Sequence, residues 1–247
     1  MNRDKPKFFR TGERTLRFSF QEAISHEILS NVHSFAEMIS LEWSHYIEEI
    51  VPSYHTVTVF FYTSSTLEKA NIEELLIKWQ HQKQMDKNKS TRLVHIPVCY
   101  EESFSIDIDR IATINKLSKE EIIKLHTQTL YTVYMVGFLP GFPYLGDLNK
   151  DICVSRLDKP RAFVPKGSVG IGGSQTGIYP IDSPGGWNII GRTPLEIYSV
   201  NRKSPFLLKA RDLLQFYPIS LNDYKELEIE LEKDPEAIYR FVEELLP

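Results

Sequence analysis

The stretch between residues 137 and 192 decides the fold of this chain. It runs Gly137-Phe-Leu-Pro-Gly-Phe-Pro-Tyr-Leu-Gly146, later Pro165-Lys-Gly-Ser-Val-Gly-Ile-Gly-Gly-Ser-Gln-Thr-Gly-Ile-Tyr-Pro180, and then Ser183-Pro-Gly-Gly-Trp-Asn-Ile-Ile-Gly-Arg192. Eleven of the twelve glycines of the chain lie here, interspersed with prolines. Glycine admits positive φ and close backbone approach, whereas proline fixes φ. The stretch therefore predicts tight turns, which fit either ordinary barrel connections or a shaped binding site. The polar side chains among the turns favour a site.

The segments around this stretch predict a β-rich C-terminal half. Several short strands separated by Gly-Pro turns are typical of a barrel or a sandwich. A helix is predicted over about 234–246, because Pro235 stands at a first helical position behind Asp234. The predicted strands cover residues 131–136, 152–156, 188–190, 195–200 and 213–217.

The N-terminal third predicts a different kind of domain. Leu16, Phe18 and Phe20 alternate with polar residues, as in a half-buried strand. Ser25 and Asn71 each precede an amphipathic pattern and can cap a helix. Further strands are predicted at 47–51, 57–61 and 94–98, and the polar run 80–92 is predicted to be a loop. The order β-α-β-β-α-β indicates a ferredoxin-like α/β domain over residues 1–98.

Two bridging helices are predicted within about 105–130, at the start of the second domain, residues 99–247. The second helix begins at Ser118-Lys-Glu-Glu121, which is a capping box. The pair resembles a helix-turn-helix in outline, but its second helix carries mixed charges and lacks a phosphate-reading face. The predicted fold class is therefore α+β, with an N-terminal α/β domain followed by a barrel domain and a terminal helix.

The composition narrows the class of protein. The chain has 247 residues, 42% of them hydrophobic, and a net charge of −4, which is typical of a soluble globular protein without a nucleic-acid footprint. Cys99 and Cys153 have no metal-ligand spacing and indicate a reducing compartment. We see neither a signal peptide nor an apolar run of about 18 residues, so no membrane span and a cytoplasmic location are predicted.

The glycine-rich stretch matches none of the common catalytic motifs. No Gly-x-x-x-x-Gly-Lys-Ser/Thr sequence is present, so there is no P-loop. Gln175 stands where the third glycine of a dinucleotide fingerprint would follow Gly170 and Gly172. Ser168 follows Gly167 directly, so it does not form a nucleophile elbow. Catalytic residues stay unassigned, and no metal site is predicted.

The remaining polar and aromatic side chains predict a cleft for a small polar ligand. Arginine can hold a carboxylate through two hydrogen bonds, and backbone N–H groups can hold oxygens. His126 either packs at a domain junction or faces the cleft. Such a cleft is poorly equipped for chemistry alone, which indicates a binding subunit or a half-site that a partner completes. The candidate residues are His126, Phe142, Tyr144, Arg161, Gln175, Thr176, Tyr179, Gly185, Gly186, Trp187 and Arg192.

These motifs together resemble the family of 5-oxoprolinase B subunits, also called allophanate hydrolase subunit 1-like. The similarity rests on Leu125-His126, on residues 131–146, and on the segments quoted between 160 and 194. Residues 52–59 also follow the pattern of the family. The resemblance extends to about residue 219. One departure lies before the last strand, where the family has Pro-Gly-Asp and this chain has Ala210-Arg-Asp212.

The resemblance implies a cyclophilin-like barrel and a role in a heteromeric hydrolase complex. It implies that a homologue of the 5-oxoprolinase C subunit, together with the A subunit, acts with this chain in the ATP-dependent opening of 5-oxo-L-proline to L-glutamate, with ATP held by the complex. The family also includes an inhibitor of a sporulation histidine kinase. The alternative is therefore a regulatory protein that blocks the autophosphorylation of a sensor histidine kinase.

Overall fold

The structure is a computed structural model, and it describes residues 5–81 and 91–245. The chain divides into two compact units, Met1–Lys89 and Ser90–Pro247. The loop predicted at 80–92 lies mostly outside the described residues. Its first two positions belong to a helix, and residues 91 and 92 belong to a strand.

The first unit packs helices against a four-stranded antiparallel sheet. Alternation of apolar residues buries one face of the sheet, where Phe18, Val57 and Val59 have no exposed surface. The Ser25 hydroxyl accepts a hydrogen bond from the Ile28 amide at 3.2 Å, which confirms the predicted cap. The elements are β1 (Lys7–Gly12), β2 (Thr15–Ser19), α1 (His26–Glu42), β3 (Ile47–Pro52), β4 (Thr56–Phe61), α2 (Ser64–Lys69) and α3 (Ile72–His81).

The sheet order β1-β2-β4-β3 corrects the predicted ferredoxin-like series. The prediction that a strand at 94–98 closes the first domain is wrong, because that strand belongs to the sheet of the second unit. β1 takes the place beside β2 instead. All six residues of β1 are exposed, so its sequence carries no alternating pattern that could have revealed it. The predicted domain end at residue 98 therefore falls inside a strand of the barrel.

The second unit is built on a closed seven-stranded barrel. The ring runs β12-β9-β10-β7-β6-β13-β5 and closes where Arg192 of β12 pairs with Cys99 of β5. Its strands are β5 (Thr91–Cys99), β6 (Leu130–Val136), β7 (Pro143–Leu145), β9 (Ser168–Gly172), β10 (Gln175–Ile178), β12 (Asn188–Arg192) and β13 (Leu213–Ile219), with β8 (Arg161–Val164) and β11 (Ser183–Gly185) paired beside it and β14 (Val242–Leu245) added to β5.

Helices cover the barrel and contribute to its core. They are α4 (Ile108–Asn115), α5 (Lys119–Gln128) and α6 (Leu221–Lys233). The capping box before α5 is confirmed, since the Ser118 hydroxyl accepts from the Glu121 amide and the Glu121 carboxylate accepts from the Ser118 amide. Ile111 and Ile122 bury the faces of α4 and α5 in the same hydrophobic cluster as the inward residues of β5 and β13.

Three C-terminal predictions need correction. Residues 152–156 form no strand; a short 3-10 turn, Lys150–Ile152, is followed by an isolated bridge at Val154. Residues 195–200 contain only the bridge from Tyr198 to Phe206. The segment predicted as a helix at 234–246 is the 3-10 helix Pro235–Phe241 followed by β14, because pairing with β5 overrides the local helical pattern. The C-terminal helix is α6, which precedes that segment in the chain.

Glycines in the hairpin β9–β10 allow the Trp187 ring to pack closely against the backbone. A Cβ atom on Gly172 would lie 2.8 Å from the Trp187 indole. A Cβ atom on Gly177 would lie 2.7 Å from the Pro143 carbonyl oxygen. Both distances are too short for any side chain, so these glycines serve packing.

Candidate anion-binding site

Two arginines from separate strands line one small pocket on the barrel. Arg161 is the first residue of β8, and Arg192 is the last residue of β12. The pocket has a volume of about 70 Å³, and Phe163, Ser168 and Ile189 also line it. The structure therefore brings together the two arginines that the sequence singled out.

Asp107 fixes the position of Arg161. Its Oδ1 accepts a hydrogen bond from Arg161 Nη2 at 2.5 Å, and its Oδ2 accepts one from the Ile189 backbone amide at 2.7 Å. Only 6% of Asp107 is exposed. The sequence analysis missed this residue, because an aspartate directly before a helix has the local pattern of a cap. Its side chain makes no cap hydrogen bond and turns to Arg161 instead.

The guanidinium groups of the two arginines that line this pocket keep unused hydrogen-bond donors. Arg161 Nη1 is buried and has no hydrogen-bond partner among residues 5–81 and 91–245. Arg192 donates from Nε to the Lys166 carbonyl at 2.9 Å, and its guanidinium carbon lies 5.6 Å from the centre of the Phe104 ring. A buried donor without a partner costs about 1–3 kcal/mol. Arg161 Nη1 has almost no exposed surface, so an anionic group removes that cost only when the Arg161 side chain turns toward it.

The volume limits what this pocket can take. Pockets for small molecules usually measure about 300–1,000 Å³. A space of about 70 Å³ holds an anionic group such as a carboxylate, while the rest of the ligand stays outside it.

The predicted aromatic residues form a packed cluster. Phe142 stands perpendicular to Trp187 at 5.4 Å and to Tyr179 at 5.3 Å, and these three side chains are at most 5% exposed. Tyr144 is half-buried and lies 4.9 Å from Phe142. A Cβ atom on Gly185 would lie 2.3 Å from the Tyr179 hydroxyl, so the cluster requires glycine there. Edge-to-face ring pairs contribute about 0.5–1.5 kcal/mol beyond burial.

His126 and Thr176 lie inside the barrel wall rather than in an open cleft. Both have no exposed surface. The Thr176 hydroxyl donates to the Gly170 carbonyl at 3.0 Å, so it accepts from His126 Nε2 at 3.1 Å. Tyr100 then donates its hydroxyl proton to His126 Nδ1 at 2.8 Å. Desolvation lowers the pKa of His126 to about 3, so the ring is neutral and its hydrogen bonds are satisfied.

The two remaining candidates lie on strand or turn positions. Gln175 opens β10 opposite Gly172 and is partly exposed. Gly186 follows β11, and a Cβ atom there would lie 3.6 Å from Pro160. The sequence analysis also missed Arg156, whose guanidinium carbon lies 5.5 Å from the centre of the Trp187 indole.

The glycine-rich hairpin does not fit the phosphates of ATP. Its glycines lie within two antiparallel strands and not at the N-terminus of a helix, where backbone amides would point at a phosphate. The space over Gly172 and Gly177 is filled by Trp187 and its neighbours. In the part of the chain that the structure describes, no group of three His, Cys, Asp or Glu side chains could hold a metal ion. No helix of the described ranges is long and apolar enough to span a membrane.

The fold and these motifs match one protein family. The chain belongs to the family described as carboxyltransferase domain, subdomain C and D, whose sequence model matches residues 6–208. It is 39% identical over 226 residues to the B subunit of 5-oxoprolinase from Bacillus subtilis, covering 86% of this chain and 92% of that protein. It is 40% identical over 185 residues to the 5-oxoprolinase B subunit of Haemophilus influenzae, covering 74% and 84%.

Solved structures share the fold. TTHA0988 is 31% identical with a TM-score of 0.72, over 84% of this chain but only 40% of that longer chain. Protein PH0987 from Pyrococcus horikoshii is 37% identical with a TM-score of 0.52, over 88% of this chain and all of that one. Urea carboxylase of Kluyveromyces lactis is 20% identical with a TM-score of 0.71, over 96% of this chain and 26% of the enzyme, a likeness of fold alone.

Proposed function

We propose that this chain is the B subunit of an ATP-dependent 5-oxoprolinase, which opens 5-oxo-L-proline to L-glutamate together with a C-subunit homologue and an A subunit. The observation that carries the proposal is the 39% identity to a protein named as the B subunit of 5-oxoprolinase, across 92% of that protein's length. The chemistry of the pocket is consistent with this substrate.

The Arg161–Arg192 pocket supplies a binding group for the substrate. 5-Oxo-L-proline carries a single carboxylate on a lactam ring, and arginine binds carboxylates through paired N–H donors. Arg161 Nη1 is the unused donor, and Asp107 holds the guanidinium in place through Nη2. In this proposal Arg161 and Arg192 hold the carboxylate. The lactam ring then extends out of the pocket.

The small pocket also supports the need for a partner. A ring that stays outside about 70 Å³ needs a second wall to exclude water and to present reacting groups. Among the structural relatives, TTHA0988 and the urea carboxylase have chains much longer than the matched region. We propose that the C-subunit homologue supplies the second wall here. The ATP site then lies elsewhere in the complex, because the glycine-rich hairpin of this chain does not form a phosphate cradle.

The alternative is a regulatory protein that inhibits a sensor histidine kinase. The relatives found do not favour it, since those with the highest identity are named as components of 5-oxoprolinase. Its test is separate: a purified sensor kinase should keep its autophosphorylation rate at a stoichiometric dose of this chain. A clear loss of autophosphorylation would support the regulatory function.

Reconstitution with the cognate A and C subunits tests the proposed function. We expect 5-oxoproline-dependent ATP hydrolysis only when this chain is present. Loss of one charge-assisted contact costs about 1.5–3 kcal/mol, so Arg161→Ala should lower kcat/KM roughly 10- to 150-fold. Arg161→Lys serves as a second variant. It keeps a positive charge beside Asp107, but its single Nζ cannot bind Asp107 and a ligand carboxylate through two separate nitrogens as the guanidinium does.

A matched control separates the pocket from charge in general. Arg240→Ala removes an arginine that pairs with Glu230 on the surface, and it should leave turnover unchanged. Turnover that is independent of this chain would refute the proposed function. If turnover requires the chain but Arg161→Lys, Arg161→Ala and Arg240→Ala behave alike, the chain is part of the enzyme and the carboxylate lies elsewhere.

A further inference from the structure

A second and larger pocket lies between α6 and the barrel. Its volume is about 310 Å³, which reaches the usual range for small-molecule sites. Tyr224, Glu228, Leu231 and Glu232 of α6 form one wall, and these positions share one face of the helix. The family model ends at residue 208, so α6 lies outside the part of the chain that defines the family. The proposed function assigns nothing to this pocket.

The barrel wall of the pocket carries two cationic side chains, Arg192 and Lys166, and one carboxylate, Glu196. Arg192 lines this pocket as well as the smaller one. The Nη atoms of Arg192 make no hydrogen bond to the described residues, although its Nε is used. Lys166 also lines the pocket, and its ammonium lies 3.4 Å from a Glu196 oxygen. That pair is 60% and 45% exposed, so it is weak and can exchange partners.

The helix wall is acidic. Glu228 and Glu232 are four residues apart and lie one turn apart on the same face of α6. The Tyr224 hydroxyl lies 3.4 Å from Glu228 Oε1, and only 4% of Tyr224 is exposed. The Tyr224 ring packs 4.8 Å from Phe104, the ring beside which Arg192 lies. The two walls are thus joined through the buried Tyr224 ring and the partly buried Phe104 ring.

Opposite charges on facing walls select a ligand that carries both signs. A carboxylate fits Arg192, because the free Nη donors of this residue form a fork. An ammonium group fits Glu228 and Glu232, which supply up to four acceptor oxygens. A ligand with a carboxylate but no ammonium leaves the acidic wall unpaired and faces its repulsion.

We propose that the pocket between α6 and the barrel binds a free α-amino acid, with its carboxylate at Arg192 and its ammonium at Glu228 and Glu232. The choice of L-glutamate as a probe rests on the proposed function, in which lactam opening creates a new ammonium group. The pocket then distinguishes product from substrate, because 5-oxoproline has no ammonium. Since Arg192 borders both pockets, an occupied α6 pocket competes for the guanidinium that holds the substrate carboxylate.

Isothermal titration of the full chain, without partner proteins, tests the proposal independently of turnover. The probes are L-glutamate, L-glutamine, and glutarate, which lacks the ammonium. We expect at least one of the two amino acids to bind, and we expect the double variant Glu228→Gln/Glu232→Gln to weaken that binding roughly tenfold or more. Glu226→Gln is the matched control, because it removes a carboxylate from another face of α6.

The outcomes separate clearly. Both replaced glutamates are exposed, so the double variant should melt with the parent and report binding rather than folding. The proposal is overturned if neither amino acid binds, if the double variant binds as the parent does, or if glutarate binds equally well. Because this titration needs no catalysis, inactivity of a reconstituted complex does not affect its result.

Discussion

Replacing Asp107 by asparagine tests the anchor of the anion pocket most directly. The carboxylate accepts from Arg161 Nη2 through one oxygen and from the Ile189 amide through the other. Asparagine is nearly the same size but has one acceptor oxygen, so one of the two donors must face an NH2 group. Asp107→Asn therefore removes one of the two hydrogen bonds. It also removes the negative charge that strengthens the remaining one, and it opens no cavity.

The magnitude follows from burial. The side chain of Asp107 is 7% exposed and that of Arg161 is 29% exposed, so solvent screens the pair only in part. A charge-assisted hydrogen bond in this setting contributes about 1.5–3 kcal/mol, and we take about 2 kcal/mol. For a unit of this size about 1 kcal/mol moves the melting temperature by about 2–4 °C, so we expect a loss of about 4–8 °C.

Asp109→Asn is the matched control, two residues further along in α4. Asp109 pairs with Lys119, but their side chains are 74% and 42% exposed, so solvent screens the pair and its loss should hardly change the melting temperature. Calorimetry of the full chain gives both melting temperatures, and hydrogen exchange at the Ile189 amide gives a local reading. If Asp107→Asn melts with Asp109→Asn and the Ile189 amide keeps its protection, Asp107 is not the anchor.

Three further perturbations have defined outcomes. Arg211 has a positive φ of 77°, a conformation that strains residues with a side chain by about 1–2 kcal/mol. In thermal melts Arg211→Gly should therefore be more stable than Arg211→Ala by about 1 kcal/mol, and equal stability would show that the turn is unstrained. Phe138 is 71% exposed beside an apolar groove of about 550 Å³, so Phe138→Ala should weaken assembly with the proposed C-subunit homologue in gel filtration. Leu41→Ala, at a residue 76% exposed in the other unit, should not, and equal effects of the two variants would exclude this groove as the contact. Because the pKa of His126 is about 3 in the folded chain and about 6.5 in the unfolded chain, the free energy of unfolding falls by about 2 kcal/mol between pH 7 and pH 5. In urea unfolding His126→Gln should show a flatter pH dependence of stability, and an unchanged slope would refute His126 as its cause.

Local signals in the sequence predicted local structure well. The caps at Ser25 and Ser118 are confirmed, because a side-chain hydroxyl and an amide three residues later decide them without help from the fold. The capping box Ser220-x-x-Asp223 before α6 is of the same kind, and it is the signal that would have revealed the C-terminal helix. The charged face of α6 concealed it, since only Tyr224 is buried.

A local sequence pattern could not predict which strands pair across long distances in the sequence. The strand β5 has the alternation of any half-buried strand, and nothing in its nine residues says which sheet it joins. The small strands β7 to β11 have three to five residues and many glycines, so they show no period of two. The same limit applies to the site: Arg161 and Arg192 stood out as arginines among turns, but Asp107, 54 positions before Arg161, meets it only in the fold.

The closure of the barrel through β5 governs the order in which the chain can fold during translation. Leu93 leaves the ribosome roughly 120 residues before Leu213, its partner in the parallel pair, and β14 follows later still. The first unit draws its sheet from residues close together in sequence and can complete it early. Val94, Ile96 and Val98, which have no exposed surface in the finished barrel, meanwhile stay uncovered on a strand with two open edges. Slow translation beyond residue 99 should therefore prolong the period in which the nascent chain needs a chaperone.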